Sequence, residues 1–490
     1  MTKEYESVDV LIIGAGLAGI GGACQLRRNC PNHSFMILES RETSGGTWDL
    51  FRYPGFRSDS DMYTYSYGFK PWKDKSTIAD GHKILSYIRE AAAEYDVEQH
   101  IRYQHKVVAA NWSSADKRWL VTAERSGSGD GGGTVEQVTI SCKFLFNCSG
   151  YYDYEQGYTP DFAGIDDFKG EVFHSQHWPE DLDYKGKRVV VIGSGATAVT
   201  LVPAMAKDTS SLVMLQRTPT YIASLPAEDP TAIKLRKFLP NSWAFRLTRW
   251  KKVLFQIFTY QLSRRNPQKL KKLLLGGVKQ ALGPDYDVDT HFTPPYNPWD
   301  QRLCAVPDGD LFAEIRAGRA EVVTDHIDTF NGEGIQLKSG KQLDADIVIL
   351  ATGLNLKFAG GVKHSVDGKK LDITEHFIYR GMMFSGMPNL AFTVGYTNSS
   401  WTLKTELTGK YVCRLLKKMD RGNYSTVTPT MKGEIDEVPL LDFDAGYVLR
   451  ARQMMPKNGN RLPWKNYQNY IRDFIGLRLG RLNDDELEFR

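Results

Sequence analysis

Two short glycine-rich runs mark where this chain could hold nucleotides. The first is GAGLAG, with Gly14, Ala15, Gly16 and Gly19 in a GxGxxG register directly after the apolar run VDVLII (residues 8–13). The second is GSGATA, with Gly193, Ser194, Gly195, Ala196, Thr197 and Ala198, after KRVVVIG. Glycine lets the chain turn tightly and lets the backbone come close to a pyrophosphate. The helix that follows aims its free N–H groups and the positive end of its dipole at the phosphate charge. One such run is weak evidence, but each is followed by a second strand-like run that ends in a telling residue. SFMILE ends in Glu39, a carboxylate placed to accept hydrogen bonds from a ribose hydroxyl. SLVMLQR ends in Arg217, with Thr218 next, and a guanidinium at that place suits a 2′-phosphate. Together they read as a flavoprotein, with FAD at the first site and NADPH at the second.

Each run needs a strand before it and a helix after it. The expected fold is therefore α/β, with two Rossmann-like dinucleotide-binding domains, the second inserted in the first, and a helical insertion. LFNCSG (145–150) and ADIVILATG (345–353) read as apolar strands that end in small-residue turns and return to the first fold. The expected boundaries follow. Residues 1–155 and 345–490 make the FAD domain, 156–186 a linker, 187–228 and 293–344 the NADPH domain, and 229–292 a basic helical insertion. SGSGDGGG (126–133) reads as a flexible hairpin end.

Bulk properties exclude several classes. With 490 residues, 41% hydrophobic and 24% charged, the chain has the make-up of a soluble protein of several domains. A net charge of +4 is too small to argue for nucleic acid, and no such partner is expected. The six cysteines contain no CxxC spacing, which speaks against a metal ribbon or a disulfide scaffold and for a reducing compartment. No metal site is expected. The N-terminal MTKEYESVD shows no secretion signal and no apolar run reaches membrane-spanning length, so the expected location is cytoplasmic.

One segment stands apart. Residues 231–280 hold thirteen Lys/Arg and no Asp/Glu, so the rest of the chain carries 4 − 13 = −9. Trp243, Phe245, Leu247, Trp250, Leu254, Phe255, Phe258 and Tyr260 are interleaved at helix-like spacing. Two compatible readings stand. The segment is an amphipathic surface for an anionic membrane, giving peripheral contact on its inner face, or a helical cap over the active site.

The stretch after Glu39 carries a longer signature. GGTW, YPG and Asp59 fit [AG]GxWxxxx[FY]P[GM]xxxD, and FKGEVFHSQHWP (168–179) fits FxGxxxHxxxWP. In these motifs the chain resembles the class B flavoprotein monooxygenases, and within them the Baeyer–Villiger monooxygenases. RSDSDM, YNPWDQRLCAVPDGDLF, GYTNSSWTLK and YVLRARQMMPK are similar to the ethionamide-activating branch. The resemblance implies a reaction: NADPH reduces the flavin, and dioxygen adds to give a flavin peroxide. One oxygen atom is then inserted beside a ketone carbonyl to give an ester or lactone. The same oxidant oxygenates a soft sulfur, so the expected partners are dioxygen and a lipophilic ketone or thioether-like substrate. A flavin monooxygenase that oxygenates nitrogen or sulfur is the alternative, and a membrane-surface module without turnover is a third reading. Oligomeric state does not follow from the sequence.

The resemblance also assigns residues. Arg302 matches the family's active-site arginine and would stabilise an anionic oxygen, with Asp59 orienting it. Gly46, Thr47 and Trp48 should lie along the flavin, Tyr65 should reach its rings, and the Val107 backbone should meet the adenine. Arg57 and Ser58 should face NADPH beside Asp59, and Thr197 should bond its phosphates. His174 and Trp178 fall in the segment that connects the two domains and are assigned to a hinge; His174 reads equally as a satisfied core histidine. Gln301 stands where many relatives carry a lysine for the 2′-phosphate, which leaves that task to Arg217. Met382, Met383, Phe384, Trp401 and the GYTNSSW turn are candidates for the substrate cavity.

Overall fold

A computed structural model describes residues 5–126, 135–441, 443–482 and 484–490. The SGSGDGGG run lies outside the described residues from position 127 onward.

Among the described residues, nine strands form the first sheet. Glu6–Ile13 is central, parallel to Phe35–Leu38 on one side and Val135–Asn147 on the other. Val10, Leu11 and Ile12 are fully buried, as a parallel strand covered on both faces requires. Helix Leu17–Asn29 packs against the long helix Trp401–Gly422. Beyond Val135–Asn147 the sheet continues as an antiparallel meander through Arg118–Ser126 and His105–Ser113, and ends in Lys363–Val366 and Lys369–Leu371.

The second sheet is wholly parallel. Its order is Glu321–Thr324, Ser211–Gln216, Arg188–Ile192, Ile347–Leu350, Glu171–His174. Two expectations are corrected here. ADIVILATG does not return to the first sheet: Ile347–Leu350 pairs with Arg188–Ile192 inside the second. The chain re-enters the first sheet only at Lys363–Val366. Residues 156–186 are not a bare linker either, because Glu171–His174 is the edge strand of the second sheet. An apolar run states that it is buried; it does not state between which neighbours.

The basic segment is helical, with helices Pro230–Phe238, Asn241–Arg265 and Pro267–Leu282. Asp229 and Asn266 cap two of them by accepting from Ala232 N and Lys269 N, each ahead of a proline at the first helical position. Among the described residues, no helix is long and apolar enough to cross a membrane. All six cysteines are buried and unpaired.

Candidate active site

The first glycine turn shows why it is glycine. Gly14 sits at φ +95°, and a Cβ there would meet the Cys148 carbonyl oxygen at 2.9 Å. A Cβ at Gly19 would meet the Gly14 carbonyl oxygen at 1.8 Å, so helix and turn touch directly. Glu39, buried at the end of its strand, accepts from Ala15 N at 2.7 Å and from Arg41 N at 3.0 Å. These bonds orient the carboxylate at the edge of the cleft. Trp48 Nε1 donates to the Tyr65 hydroxyl at 2.8 Å, and Thr47 shares a 2.9 Å hydrogen bond with Tyr154.

The second turn is built alike. Gly193 lies at φ +141°, with no room for a Cβ beside the Ala351 carbonyl. At Gly195 a Cβ would meet nothing within 4 Å and would project into the cleft. Helix Ala198–Met205 starts directly behind it. The YPG turn joins the two halves: Gly55 packs on Thr200 and Ala204 of that helix.

Both turns open on one cleft of about 500 Å³. It gathers Gly14, Gly16, Glu39, Gly46, Thr47, Trp48, Arg57, Ser58, Asp59, Tyr65, Val107, Gly195, Ala196, Thr197 and Arg302. Ala15, Gly19, Gly193, Ser194, Ala198, Arg217, Thr218, His174 and Trp178 do not line it. Arg217 is exposed just past the end of its strand. The Ser194 hydroxyl donates to the Thr218 carbonyl at 2.9 Å. Arg57 lines the cleft, yet its guanidinium is held by Asp310 at 2.5 and 3.2 Å, and the Ser58 hydroxyl is engaged by Ser60. His174 has both ring nitrogens satisfied: Nδ1 accepts from Gln176 N at 3.1 Å and Nε2 lies 3.0 Å from the Gly353 carbonyl oxygen. That pattern requires neutral imidazole donating from Nε2, and burial pushes its pKa below the ordinary histidine value.

The decisive pair is Arg302 and Asp59, 243 positions apart in the chain. Arg302 donates to Asp59 Oδ2 from Nε at 2.9 Å and from Nη2 at 2.5 Å, and its Nη1 reaches the Thr397 carbonyl at 3.3 Å. The Asp59 carboxylate raises the guanidinium pKa further, so the cation persists at any working pH. Arg302 also borders a second, much smaller chamber of about 40 Å³. Leu356, Phe358, Phe392, Val394, Leu440 and Met454 make its walls apolar. Tyr151, Tyr396, Trp401 and Tyr447 border both spaces, and Tyr151 stacks on Trp401 at 4.6 Å. Burial raises the pKa of Tyr151 and Tyr447, which keeps both phenols neutral; the Tyr151 hydroxyl donates to that of Tyr152 at 2.9 Å.

Trp401 and the turn before it line this chamber. Met382, Met383 and Phe384 do not: all three are fully buried in the cores under the first sheet. Sequence reasoning missed Tyr151, Tyr152, Tyr154 and Tyr447. The YYDY run at 151–154 was the available signal, three tyrosines directly after an apolar strand and its turn.

The profile of flavin-binding monooxygenase-like proteins matches residues 56–423, and that of the NAD(P)-binding Rossmann-like domain matches residues 12–74. The chain belongs to the flavin-binding monooxygenase family. Among its relatives is the FAD-containing monooxygenase EthA of Mycobacterium tuberculosis, 51% identical, covering 99% of this chain and 98% of that one. The probable FAD-binding monooxygenase AlmA of Acinetobacter baylyi is 48% identical, over 99% and 96%. In fold the chain is similar to the polycyclic ketone monooxygenase of Thermothelomyces thermophila, with TM-score 0.78, 19% identity and coverage of 100% and 90%. It is likewise similar to an oxidised steroid monooxygenase bound to NADP, with TM-score 0.71, 23% identity and coverage of 86% and 88%. As a member of the flavin-binding monooxygenases this protein is an NADPH-dependent flavoenzyme. The two glycine turns fit its cofactors FAD and NADPH, with Glu39 beside the first and Arg217 after the second.

Proposed function

We propose that the protein is a Baeyer–Villiger monooxygenase acting on lipophilic ketones, with sulfur oxygenation as a second activity. The overall reaction is ketone + O2 + NADPH + H+ giving ester or lactone + NADP+ + H2O. The observation that carries this reading is Arg302, held by Asp59 where the cofactor cleft meets the apolar chamber.

When bound, FAD reduced by NADPH supplies the activated dioxygen. The remaining work is done by side chains. Arg302 presents a permanent positive charge where an oxygen atom must be anionic to attack a carbonyl carbon. Asp59 fixes the direction of that charge through two hydrogen bonds to one oxygen. Tyr447, half-buried and with a neutral phenol, can donate to a carbonyl oxygen, the Tyr151 hydroxyl being given to Tyr152 at 2.9 Å, and the Tyr151–Trp401 stack makes a flat wall for an apolar substrate. Thr47 and Trp48 with its Tyr65 partner lie along the FAD half of the cleft. Arg217 takes the 2′-phosphate. His174 links the edge strand to Gly353, which borders the cleft, and acts as a hinge between the domains. Heteroatom oxygenation is the reverse polarity: the substrate attacks a protonated oxygen, and a fixed cation is not needed.

The test is product analysis with 18O2 across linear, cyclic and aryl ketones and a thioether. Esters carrying one labelled atom are expected, with some sulfoxide. Sulfoxide or N-oxide formation with no ester from any ketone would assign the protein to the heteroatom oxygenases instead.

A further inference from the structure

The basic helix Asn241–Arg265 has two faces with different business. One face carries Trp243, Leu247, Trp250, Leu254 and Phe258, spaced at three and four residues and 40% to 64% exposed. Trp250 meets Phe474 edge-on at 5.5 Å, which extends the apolar stripe to the exposed Ile475 and Leu479. A contiguous exposed stripe of large apolar side chains marks a surface that meets something else.

The charges say what. Of the thirteen cations in 231–280, seven are held by a neighbouring carboxylate or by backbone carbonyls, Arg249 by Glu406 and Lys252 by Asp61 and Asp229 among them. The other six are Lys234, Lys237, Arg246, Arg265, Lys269 and Lys272, all exposed and without an ion-pair partner among the described residues. Arg246 lies 5.7 Å over the Trp243 ring, in line with the stripe, and Arg265 continues it about two turns beyond Phe258. An exposed apolar stripe with unpaired cations on its own helix and on the helices to either side of it in sequence, in a segment without one carboxylate, fits an anionic lipid surface. A second copy of the chain fits poorly, since a two-fold contact would set the same cations against each other.

The opposite face of the same helix reaches the site. Val253 packs with Tyr396 and Leu403, and Gln256 bonds Ser399 at 2.6 Å and Thr64 at 3.2 Å. Tyr396 and Ser399 border the cleft, and Tyr396 borders the apolar chamber too. We propose that this face seats the protein peripherally on an anionic bilayer, with one helix separating the leaflet from the chamber, so that lipophilic substrate enters from the lipid. The delivery rests on the ketone reading above; the docking does not.

The experiment sediments the FAD-loaded protein with vesicles of phosphatidylcholine alone or with phosphatidylglycerol added, at low and high salt. Binding to the anionic vesicles at low salt, weakened by salt, is expected. Arg246→Glu/Lys269→Glu/Lys272→Glu should weaken it by about tenfold or more. Leu247→Ser/Leu254→Ser/Phe258→Ser should abolish the part of binding that survives high salt. FAD content and NADPH oxidation with a short soluble ketone should stay unchanged in both variants, which shows that they fold. Two results overturn the proposal. One is wild-type protein that stays in the supernatant with anionic vesicles at low salt. The other is an oligomer, seen by light scattering, that the serine variant disperses while vesicle binding is absent. Vesicle binding without any ketone turnover would leave the docking standing and count against the ketone reading alone.

Discussion

Replacing Arg302 with Ala removes one cation and leaves one anion behind. Arg302 directs two N–H donors at a single oxygen of Asp59, at 2.9 and 2.5 Å, so its charge has a fixed position beside the chamber. Loss of one preorganised donor to a developing oxyanion costs about 2.7–4 kcal/mol, or about 10²–10³ in rate. A second cost follows from the pairing. Asp59 without its partner turns an uncompensated carboxylate toward the place where the substrate-derived oxygen becomes negative. Two unit charges about 4 Å apart interact by about 4 kcal/mol at an effective dielectric constant of about 20. Ester formation should therefore fall about 10³-fold or more in Arg302→Ala. Asp59→Ala/Arg302→Ala should recover part of the loss, because the repelling carboxylate is gone. Arg302→Lys should fall between, since the ammonium keeps the charge but not the fork. NADPH oxidation and ester yield should be followed in parallel, with hydrogen peroxide measured as the product of unused oxygen. Bound FAD and NADPH oxidation should persist while ester disappears. Ester formation in Arg302→Ala within about threefold of wild type, against a loss of about 10³, would refute the electrostatic argument.

Two further outcomes are expected. Arg217→Ala should raise KM for NADPH by about 10-fold to 100-fold, the worth of a hydrogen bond to a charged group, and leave KM for NADH nearly unchanged; equal effects on both would remove Arg217 from the 2′-phosphate. His364 is buried, and desolvation lowers its pKa to about 4 from 6.5. The unfolded chain then binds the proton more tightly, so stability is fully present above pH 6.5 and is lost as pH falls toward 4, by about 2.5 × 1.36 ≈ 3 kcal/mol in all. Thermal unfolding from pH 7 to pH 4 should show this slope, and His364→Leu should flatten it; an unchanged slope in the variant would place the acid sensitivity elsewhere.

The parts that were legible in the sequence are those whose physics is local. A phosphate-binding turn, its strand, its helix and its ribose acid lie within some thirty residues, so GAGLAG with Glu39 and GSGATA with Arg217 already implied two dinucleotide sites. The helical character of 229–292 was equally local, because spacing, caps and prolines sit in the segment itself. Motif resemblance, not spacing, pointed to Asp59 and Arg302, and only the tertiary structure brings the two within hydrogen-bonding distance. Strand pairing lay beyond the sequence for another reason. Ile347–Leu350 is apolar whichever sheet it joins, and burial alone does not choose between neighbours. The same degeneracy misplaced Met382, Met383 and Phe384, since a residue facing a core and one facing a ligand chamber share one composition. It hid Tyr447, whose place beside Arg302 arises from the short helix Gly446–Ala451 far along the chain. Charge was the last thing decided by folding. Thirteen cations look alike in sequence, and only folding divides them into seven that hold neighbouring carboxylates or carbonyls and six that remain for a partner.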